Sequence, residues 1–537
     1  MLEPLRVSFR VDASQKIGTG HVRRCLSLAQ ALKKFDAQSR FICRRHDEVS
    51  AHLIPTHQAC DWLAASTQTF SDNDPNVAPP YASWGLVPWQ LDADQTIAVL
   101  KKAPVDWLVV DHYAWDARWH QRVTAEVNVR LLAIDDLADR SLSADMLLDQ
   151  NLDQNHFDKY KHCISFAGER VRLMAGPRYA LLSDRYKLAP RYEFSKVASS
   201  IGIFMGGTDP DDLSSQVLLA CREVAKFTGR ITLVSSQQNP HYEAHLALAA
   251  RWLQTRVVHD LPDLSDFFAS HDLQIGSGGG AAWERCCIGA PTLAVVAATN
   301  QQAVLPQLAD LQAVRLVELT KSDSSLQAFG KTVAELLADP VSRQQLSEKS
   351  ISLVDGRGSD RVAAVLALAV SSDLTLRPAV LDDEALLLEW SNESQTRRNA
   401  FDTEPIGATS HAVWLRSRLR DTESCALYIA EVKNAMPVGT IRFDREALPG
   451  ESFGSEVWRI SYGVDVSFRS LGLARVLVQQ GLERLAQTRA ATCTVRALVK
   501  PNNIASMKTF ESLSFTASRA ACDDQTVSCF EKVLRPL

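Results

Sequence analysis

The feature that most constrains the fold is a glycine turn near the start of the chain, between an apolar strand and a helix. Apolar and polar residues alternate over 5–11, which is the period-two pattern of a β-strand. Over 22–32 the apolar residues recur at helical spacing. Gly18 and Gly20 lie between the two patterns, directly before His21. The sequence therefore predicts a strand–turn–helix unit whose turn approaches a ligand closely and whose helix N-terminus faces an anion.

The residues around this turn also suggest a chemistry. A histidine beside an anion site can take a proton from water, because an imidazole titrates near neutral pH. The segment RVDASQKIGTGH at 10–21 resembles the opening of the UDP-sugar hydrolases of pseudaminic acid biosynthesis. These enzymes release UDP from a UDP-linked diacetamido-trideoxy-altrose. The resemblance implies that His21 is the catalytic base and that the UDP-sugar is contacted by Arg10, Asp12, Gly18 and Gly20.

Length, charge and cysteine usage limit the class of protein. A chain of 537 residues is too long for one core and predicts three or four domains. The net charge of −5 argues against a nucleic-acid partner. The 11 cysteines are scattered and form no Cys-x-x-Cys pair, which indicates reduced cytoplasmic thiols and no metal site. The N-terminus lacks a signal-peptide pattern, and no apolar stretch is long enough for a membrane helix. We expect a cytoplasmic protein without a membrane partner.

Three apolar runs in the first third of the chain end in acidic residues. They are 107–111, 131–136 and 146–149, and helical stretches separate them. This order is typical of an open, mostly parallel α/β sheet, which binds its ligands at the carboxyl ends of the strands. The resemblance to the hydrolases extends through these runs and implies that Tyr113 lines the sugar pocket. We interpret the strand-end acids as caps of the following helices and not as catalytic groups.

A second α/β unit begins near residue 199 and contains another glycine turn. The strand at 273–276 runs into the segment GSGGG, and a helix follows. Its backbone N–H groups suit a diphosphate without a metal ion. This half resembles the nucleotide-binding half of the GT-B fold, and the hydrolase resemblance spans roughly residues 5–365. It implies that Glu284 holds the ribose hydroxyls, and that further UDP-sugar contacts come from Gly206, Ser277, Gly278, Gly279 and Asn300.

The composition pattern changes after residue 373. Strand patterns at 426–431, 437–443 and 458–464 follow one another as an antiparallel sheet. The segment VSFRSLGLA at 466–474 resembles the Arg/Gln-x-x-Gly-x-Gly/Ala loop of GNAT-type acetyltransferases, in which backbone N–H groups hold the pyrophosphate of acetyl-CoA. The resemblance implies acetyl-CoA contacts from Val464, Val466, Arg469, Leu471, Gly472, Ala474, Asn503 and Ser506.

One position departs from the acetyltransferase pattern. Many relatives carry Tyr where this chain has Phe510, and that hydroxyl is often proposed to protonate the departing thiolate. Phe510 cannot donate a proton. Another group, water or unassisted departure must replace it; Ser461 and Tyr462 are on the neighbouring strand, where an ordinary strand role explains them equally well.

Together these patterns predict an α/β protein with two Rossmann-like halves in a GT-B arrangement, followed by a GNAT α+β domain. The expected boundaries are 1–190, 191–370 and 373–537. The two resemblances imply acetyl-CoA-dependent 4-N-acetylation of a UDP-4-amino-sugar, and then hydrolytic release of UDP. Three alternatives stay open: a GT-B glycosyltransferase fused to an acetyltransferase, the same pair of activities on a related nonulosonic acid precursor, and a nucleotide-sugar sensor fused to a protein N-acetyltransferase.

Overall fold

The chain folds into two compact units, Met1–Ala363 and Ala364–Leu537. The computed structural model describes residues 4–14, 16–46, 53–64, 81–164, 171–207, 209–237, 239–259, 261–298, 301–369, 374–433, 436–446, 456–489, 491–518 and 527–536. In this part of the chain no helix combines the length and the apolar character that crossing a bilayer requires.

The first half of unit one is a seven-stranded parallel sheet. Its strands are β1 (Arg6–Val11), β2 (Gln38–Arg44), β3 (Cys60–Leu63), β4 (Trp107–Asp111), β5 (Arg130–Ile134), β6 (Met146–Asp149) and β7 (Arg172–Ala175). They lie in the order β3-β2-β1-β4-β5-β6-β7. The order reverses direction between β1 and β4, and ligands of such sheets bind at the carboxyl ends of the strands at this switch point.

The second half repeats this design with six parallel strands. They are β8 (Ser200–Phe204), β9 (Arg230–Val234), β10 (Thr255–Val258), β11 (Leu273–Ser277), β12 (Thr292–Val295) and β13 (Arg315–Leu316). Their order is β10-β9-β8-β11-β12-β13, so the switch point lies between β8 and β11. Both switch points coincide with the glycine turns of the sequence. The expected pair of Rossmann-like halves is therefore confirmed.

Helices cover the sheets of unit one. In the first half they are α1 (Gly20–Leu32), α2 (Trp89–Lys102), α3 (Ala117–Glu126), α4 (His156–Tyr160) and α5 (Asp184–Leu188). In the second half they are α6 (Leu213–Leu219), α7 (Tyr242–Ala249), α8 (Ser265–Ala269), α9 (Gly280–Ile288), α10 (Leu305–Asp310), α11 (Asp323–Ala338), α12 (Pro340–Ile351) and α13 (Gly358–Leu368). The start of α13 returns to the first half, where Asp360 accepts from Lys34 at 2.6 Å.

The C-terminal unit is a mixed sheet. It contains β14 (Thr375–Pro378), β15 (Cys425–Val432), β16 (Met436–Glu446), β17 (Glu456–Val464), β18 (Cys493–Val499), β19 (Thr516–Ala517) and β20 (Ser528–Leu534), in the order β14-β15-β16-β17-β18-β20-β19. Its helices are α14 (Glu384–Asn392), α15 (Ser394–Asn399), α16 (Ala408–Arg420), α17 (Leu473–Gln487) and α18 (Ile504–Ser512). The antiparallel run β15–β16–β17 matches the sequence prediction.

Candidate active sites of the two units

His21 lies at the beginning of α1, directly behind the glycine turn at the carboxyl end of β1. Its ring is nearly buried, with 9% of the residue exposed. Nδ1 of His21 lies 2.6 Å from Oδ1 of Asp111, at the end of the neighbouring strand β4. Because a carboxylate only accepts, this bond places the ring proton on Nδ1 and leaves the Nε2 lone pair available as a base.

Asp111 is held in place by an arginine one turn further along α1. Arg24 donates from Nε to Oδ2 and from Nη2 to Oδ1, each at 2.6 Å. Burial opposes ionisation, but the charges of Arg24 and His21 prevail and hold the pKa of Asp111 well below its usual range. The carboxylate is therefore ionised at neutral pH. The interpretation of Asp111 as a helix cap is wrong: Asp116, which accepts from the N–H of Arg118, caps the next helix.

An aromatic wall adjoins His21. The ring of Tyr113 packs edge-on against His21, with the centroids 4.8 Å apart, and Trp84 lies 6.1 Å away. Tyr81 packs on both of these aromatic rings. The Tyr113 hydroxyl does not face His21, because it donates to Asp136. Tyr113 thus contributes its ring to the wall, and its contact with a sugar stays a prediction.

Arg10 and Asp12 lie beneath this site and not on its surface. Arg10 has no exposed surface, and Nη1 donates to Asp12 at 2.7 Å while Nη2 donates to Asp92 at 2.6 Å. Asp12, only 1% exposed, also accepts from the backbone N–H of Arg44. Neither side chain can touch a ligand in this arrangement. Their role is to fix the strand that leads into the turn.

Replacing Arg10 with Met should destabilise the first unit by about 3–5 kcal/mol, because Asp12 would lose its buried positive partner and Asp92 would keep only Arg44. Thermal or urea unfolding of the full chain measures this effect. The matched control is Arg122→Met: Arg122 pairs with Asp94 at the surface, where water screens the charges, so its loss should change the free energy of unfolding far less than the loss of Arg10. Equal losses in the two variants would contradict the structural role assigned to Arg10.

The glycines of both turns leave open space in front of the strands. At Gly18 and Gly20, and also at Gly207, Gly279 and Gly280, an added Cβ would meet nothing within 4 Å. Gly18, Gly206 and Gly279 have positive φ values of 81°, 107° and 76°, which side chains rarely adopt. A ligand can therefore approach the backbone closely at the glycine turns of both halves of unit one.

The second turn differs in detail from the prediction. Ser277 is 4% exposed and its hydroxyl donates to the carbonyl of Met205, so it does not point into the open space. The N–H of Gly278 donates to Oε1 of Gln301 at 3.1 Å. Gln301 thus fastens the turn, a role that the sequence reasoning missed. Asn300, which was expected to line the cleft, lies outside the described residues.

Glu284 is half-buried one turn into α9. Burial raises its pKa, against the effect of the Tyr186 hydroxyl, which bonds the carboxylate, and of the positive charge of Arg23. Arg23 belongs to α1 of the first half. The charge of Arg23, on α1, therefore acts on Glu284, on α9.

Three side chains of metal-ligating type lie close together in the second half of unit one. Ligand atoms of Asp209, Asp212 and His245 lie within 4.8 Å of one another. Each of the three already has a hydrogen-bond partner in the protein: Asp209 accepts from the N–H groups of Leu213 and Ser214, and His245 bonds Ser235 and Asp212 at 2.9 Å each. The expectation that the protein works without a metal stays a prediction.

The candidate site of the C-terminal unit is a gap between two strands. β17 and β18 pair as parallel strands only from Glu456–Arg459 to Cys493–Arg496, and they separate beyond this point. The rest of β17, up to Val464, borders the gap, and the 466–472 loop leads from its end into α17. A ligand chain can pair with the strand edge that this separation leaves.

The loop itself has the conformation of an anion cradle. Ser470 and Gly472 have positive φ values of 64° and 75°, and a Cβ at Gly472 would meet nothing within 4 Å. Val466, Leu471 and Ala474 are exposed or half-exposed around it. Arg469 has another role, since its guanidinium donates to Glu393 at 2.6 Å and to the carbonyl of Val464 at 3.0 Å. Arg469 holds the loop in place through these hydrogen bonds.

Two hydroxyl groups meet between β17 and α18. Asn503 caps this helix by accepting from the N–H of Ser506 at 3.2 Å. The hydroxyl of Tyr462, on β17, lies 3.1 Å from that of Ser506. The ring of Phe510 packs edge-on against Tyr462, with the centroids 5.7 Å apart. A phenol hydroxyl is therefore present beside Phe510, although it comes from the strand and not from the helix.

Comparison with protein families identifies the C-terminal part. Residues 373–516 match the model described as acetyltransferase (GNAT) domain, and this implies acetyl-CoA binding. Among solved structures, a spermidine N-acetyltransferase from Vibrio cholerae in complex with CoA and spermine is 14% identical, covers 30% of this chain and 96% of its own, and has a TM-score of 0.27.

The N-terminal part is similar to proteins of polysaccharide and nucleotide-sugar metabolism. A Bacillus subtilis spore coat polysaccharide biosynthesis protein is 27% identical over 36% of this chain and 58% of its own length, so only a little more than half of that relative is matched. A UDP-2,4-diacetamido-2,4,6-trideoxy-beta-L-altropyranose hydrolase of Campylobacter jejuni is 23% identical over 57% of this chain and 96% of its own.

A third relative is similar to almost the whole length of the chain. An uncharacterized protein of Methanocaldococcus jannaschii is 20% identical over 97% of this chain and 99% of its own. Taken with the two sheets of the first unit, the comparisons describe a GT-B-like part related to nucleotide-sugar biosynthesis, followed by a GNAT acetyltransferase domain.

Proposed function

We propose that the chain carries out two consecutive steps on one UDP-sugar. The C-terminal unit acetylates the 4-amino group of UDP-4-amino-4,6-dideoxy-N-acetyl-altrosamine, and the first unit hydrolyses the product to UDP and the free diacetamido sugar. The observation that carries the hydrolase assignment is the bond from His21 to Asp111, which leaves Nε2 as a base beside an open glycine turn. Binding alone would not require a base. The C. jejuni hydrolase, similar over 57% of this chain, supplies the substrate class.

In the hydrolytic step, Nε2 of His21 takes a proton from water as the oxygen attacks the anomeric carbon of the sugar. The bond between this carbon and the diphosphate oxygen breaks, and UDP leaves with the electron pair. Asp111 stabilises the imidazolium that forms, as a carboxylate does for a catalytic histidine elsewhere. One displacement at carbon inverts its configuration.

UDP would lie on the second half, with its diphosphate at the turn before α9. The N–H groups at a helix N-terminus stabilise the negative charge that grows on the leaving group. Glu284 would accept from the ribose hydroxyls. This position also explains why glycine stands at 279 and 280, where side chains would fill the space for the diphosphate.

In the acetyl transfer, the 4-amino nitrogen attacks the thioester carbonyl of acetyl-CoA. The carbon–sulfur bond breaks, and the CoA thiolate takes a proton while the new amide nitrogen loses one. The backbone of β17 and the 466–472 loop would hold the cofactor. The hydroxyl of Tyr462 is the proton donor that we propose for the thiolate, since Phe510 cannot serve.

Replacing Tyr462 with Phe tests this role. We expect kcat of acetyl transfer to fall by about 10²-fold, the lower range for loss of a general acid, with the KM for acetyl-CoA little changed. Release of the CoA thiol from purified full-length protein measures both constants. The control is Ser461→Ala, because Ser461 is exposed on the adjacent position of the strand. A Tyr462→Phe variant with unchanged kcat would exclude the phenol.

A one-pot assay tests the overall proposal. The UDP-4-amino-sugar is supplied with or without acetyl-CoA, and CoA thiol and free UDP are both followed. We expect CoA release and a UDP release that depends on acetyl-CoA. CoA release without UDP would contradict the hydrolase assignment and favour a glycosyltransferase. Absence of both products would exclude this sugar as the substrate of the C-terminal unit.

A further inference from the structure

A buried positive charge lies next to the turn before α9. Arg285, in the last turn of α9, is only 1% exposed. Its Nη2 donates to the carbonyl of Ser277, at the end of β11, and its guanidinium lies over the ring of Phe268 at 5.7 Å. Among the described residues, Nε and Nη1 have no hydrogen-bond partner, and the carboxylate whose charge acts on this guanidinium is that of the adjacent Glu284.

The backbone makes room for this side chain. A Cβ at Gly276 would lie 2.5 Å from Nη1 of Arg285, so a larger residue in β11 would displace the guanidinium. Burial lowers the pKa of Arg285 to about 10, which leaves it charged at neutral pH. An isolated buried charge is costly unless an opposite charge compensates it.

We propose that Arg285 is the internal counter-charge for the diphosphate of the nucleotide, and that it acts through the turn it holds from behind. The proposal rests on the proposed binding of UDP at this turn. Arg285 fixes the Ser277 carbonyl and with it the backbone of the turn, in which the N–H of Gly278 donates to Gln301, and its charge adds to the positive field of the helix N-terminus. It is a positioning residue, because it does not touch the reacting atoms. This charge should favour the binding of a nucleoside diphosphate over the binding of a nucleoside without phosphate.

The test compares the affinities of the full-length protein for UDP and for uridine by calorimetry. In Arg285→Met, which keeps the length and loses the charge, we expect UDP binding to weaken about ten- to hundredfold and uridine binding to change less than about twofold. The control is Arg343→Met. Arg343 is equally buried, but it donates to four backbone carbonyls away from the turn, so its loss should leave the ratio of the two affinities unchanged.

The outcomes separate this inference from the proposed function. A wild-type protein that binds neither UDP nor uridine would contradict the proposed function itself. Wild-type binding of UDP with the same UDP-to-uridine ratio in Arg285→Met would overturn only the role of Arg285. Should circular dichroism show that Arg285→Met does not fold, Arg285→Lys is measured between pH 7 and 9. Because a buried lysine loses its charge more readily, the ratio should be reduced there; a wild-type ratio throughout would overturn the inference.

Discussion

Replacing His21 with Asn should lower kcat for UDP release by about 10³- to 10⁴-fold while leaving UDP binding intact. Asparagine keeps much of the shape of the side chain but cannot take a proton from the attacking water. The aromatic wall keeps ring contacts that do not involve the imidazole, because Trp84 packs on Tyr113 with the centroids 5.4 Å apart. Steady-state release of UDP and calorimetric binding of UDP measure the two quantities separately.

His162→Asn is the matched control for this variant, since His162 is exposed on the surface of the first half. It should retain wild-type turnover. If His21→Asn also turned over at the wild-type rate, His21 would not be the base. If its UDP affinity collapsed together with the rate, the residue would be a binding group, and the lost turnover would have a different cause.

The second large effect concerns Asp111. In Asp111→Asn the amide no longer fixes the Nδ1 proton of His21 and leaves the charge of Arg24 uncompensated. We expect kcat to fall by about 10²- to 10⁴-fold, as when a histidine loses the carboxylate that orients it. The control is Asp106→Asn, at the other end of the same strand, where the carboxylate only accepts from Arg6.

The pH profile distinguishes this role from a purely structural one. The folded-state pKa of Asp111 is depressed, so its stabilising effect is present above the unfolded-state pKa and disappears only as the pH falls through the folded value. Asp111 therefore stays ionised wherever the enzyme works. In Asp111→Asn the free energy of unfolding should lose the contribution that the wild type loses on acidification, whereas kcat should fall at every pH at which the variant is folded. A kcat that falls only where the variant unfolds would mean that Asp111 only supports the fold.

The sequence predicted the elements of the fold because each of them is a local pattern. The buried strand at 107–111, the glycine turns and the antiparallel strands of the C-terminal unit are all visible in short stretches of sequence, and the structure contains them. His21 was proposed as the base for the same reason, since it adjoins a glycine turn. Its position on α1 then follows from the turn.

The partners of His21 were not predictable, because they depend on which strands become neighbours. Asp111 is 90 residues from His21 in sequence, and only the parallel pairing of β1 with β4 brings the two together. The same limit applies to Arg10 and Asp12. Their place in the motif suggested that they contact a ligand. Because both faces of the central strand are covered, the two side chains are buried instead, and they form an ion pair with each other. Arg285 carries no sequence signal that separates it from a surface arginine.

The most direct test of the hydrolytic mechanism is to run UDP release in water enriched in ¹⁸O, without any acceptor, and to analyse the UDP by mass spectrometry. Attack by the His21-activated water at the anomeric carbon predicts that UDP is released without the label, since its oxygen comes from the substrate. Labelled UDP would show that water attacks phosphorus, and an acceptor requirement for release would show that the sugar is transferred; either result would contradict the proposed hydrolase.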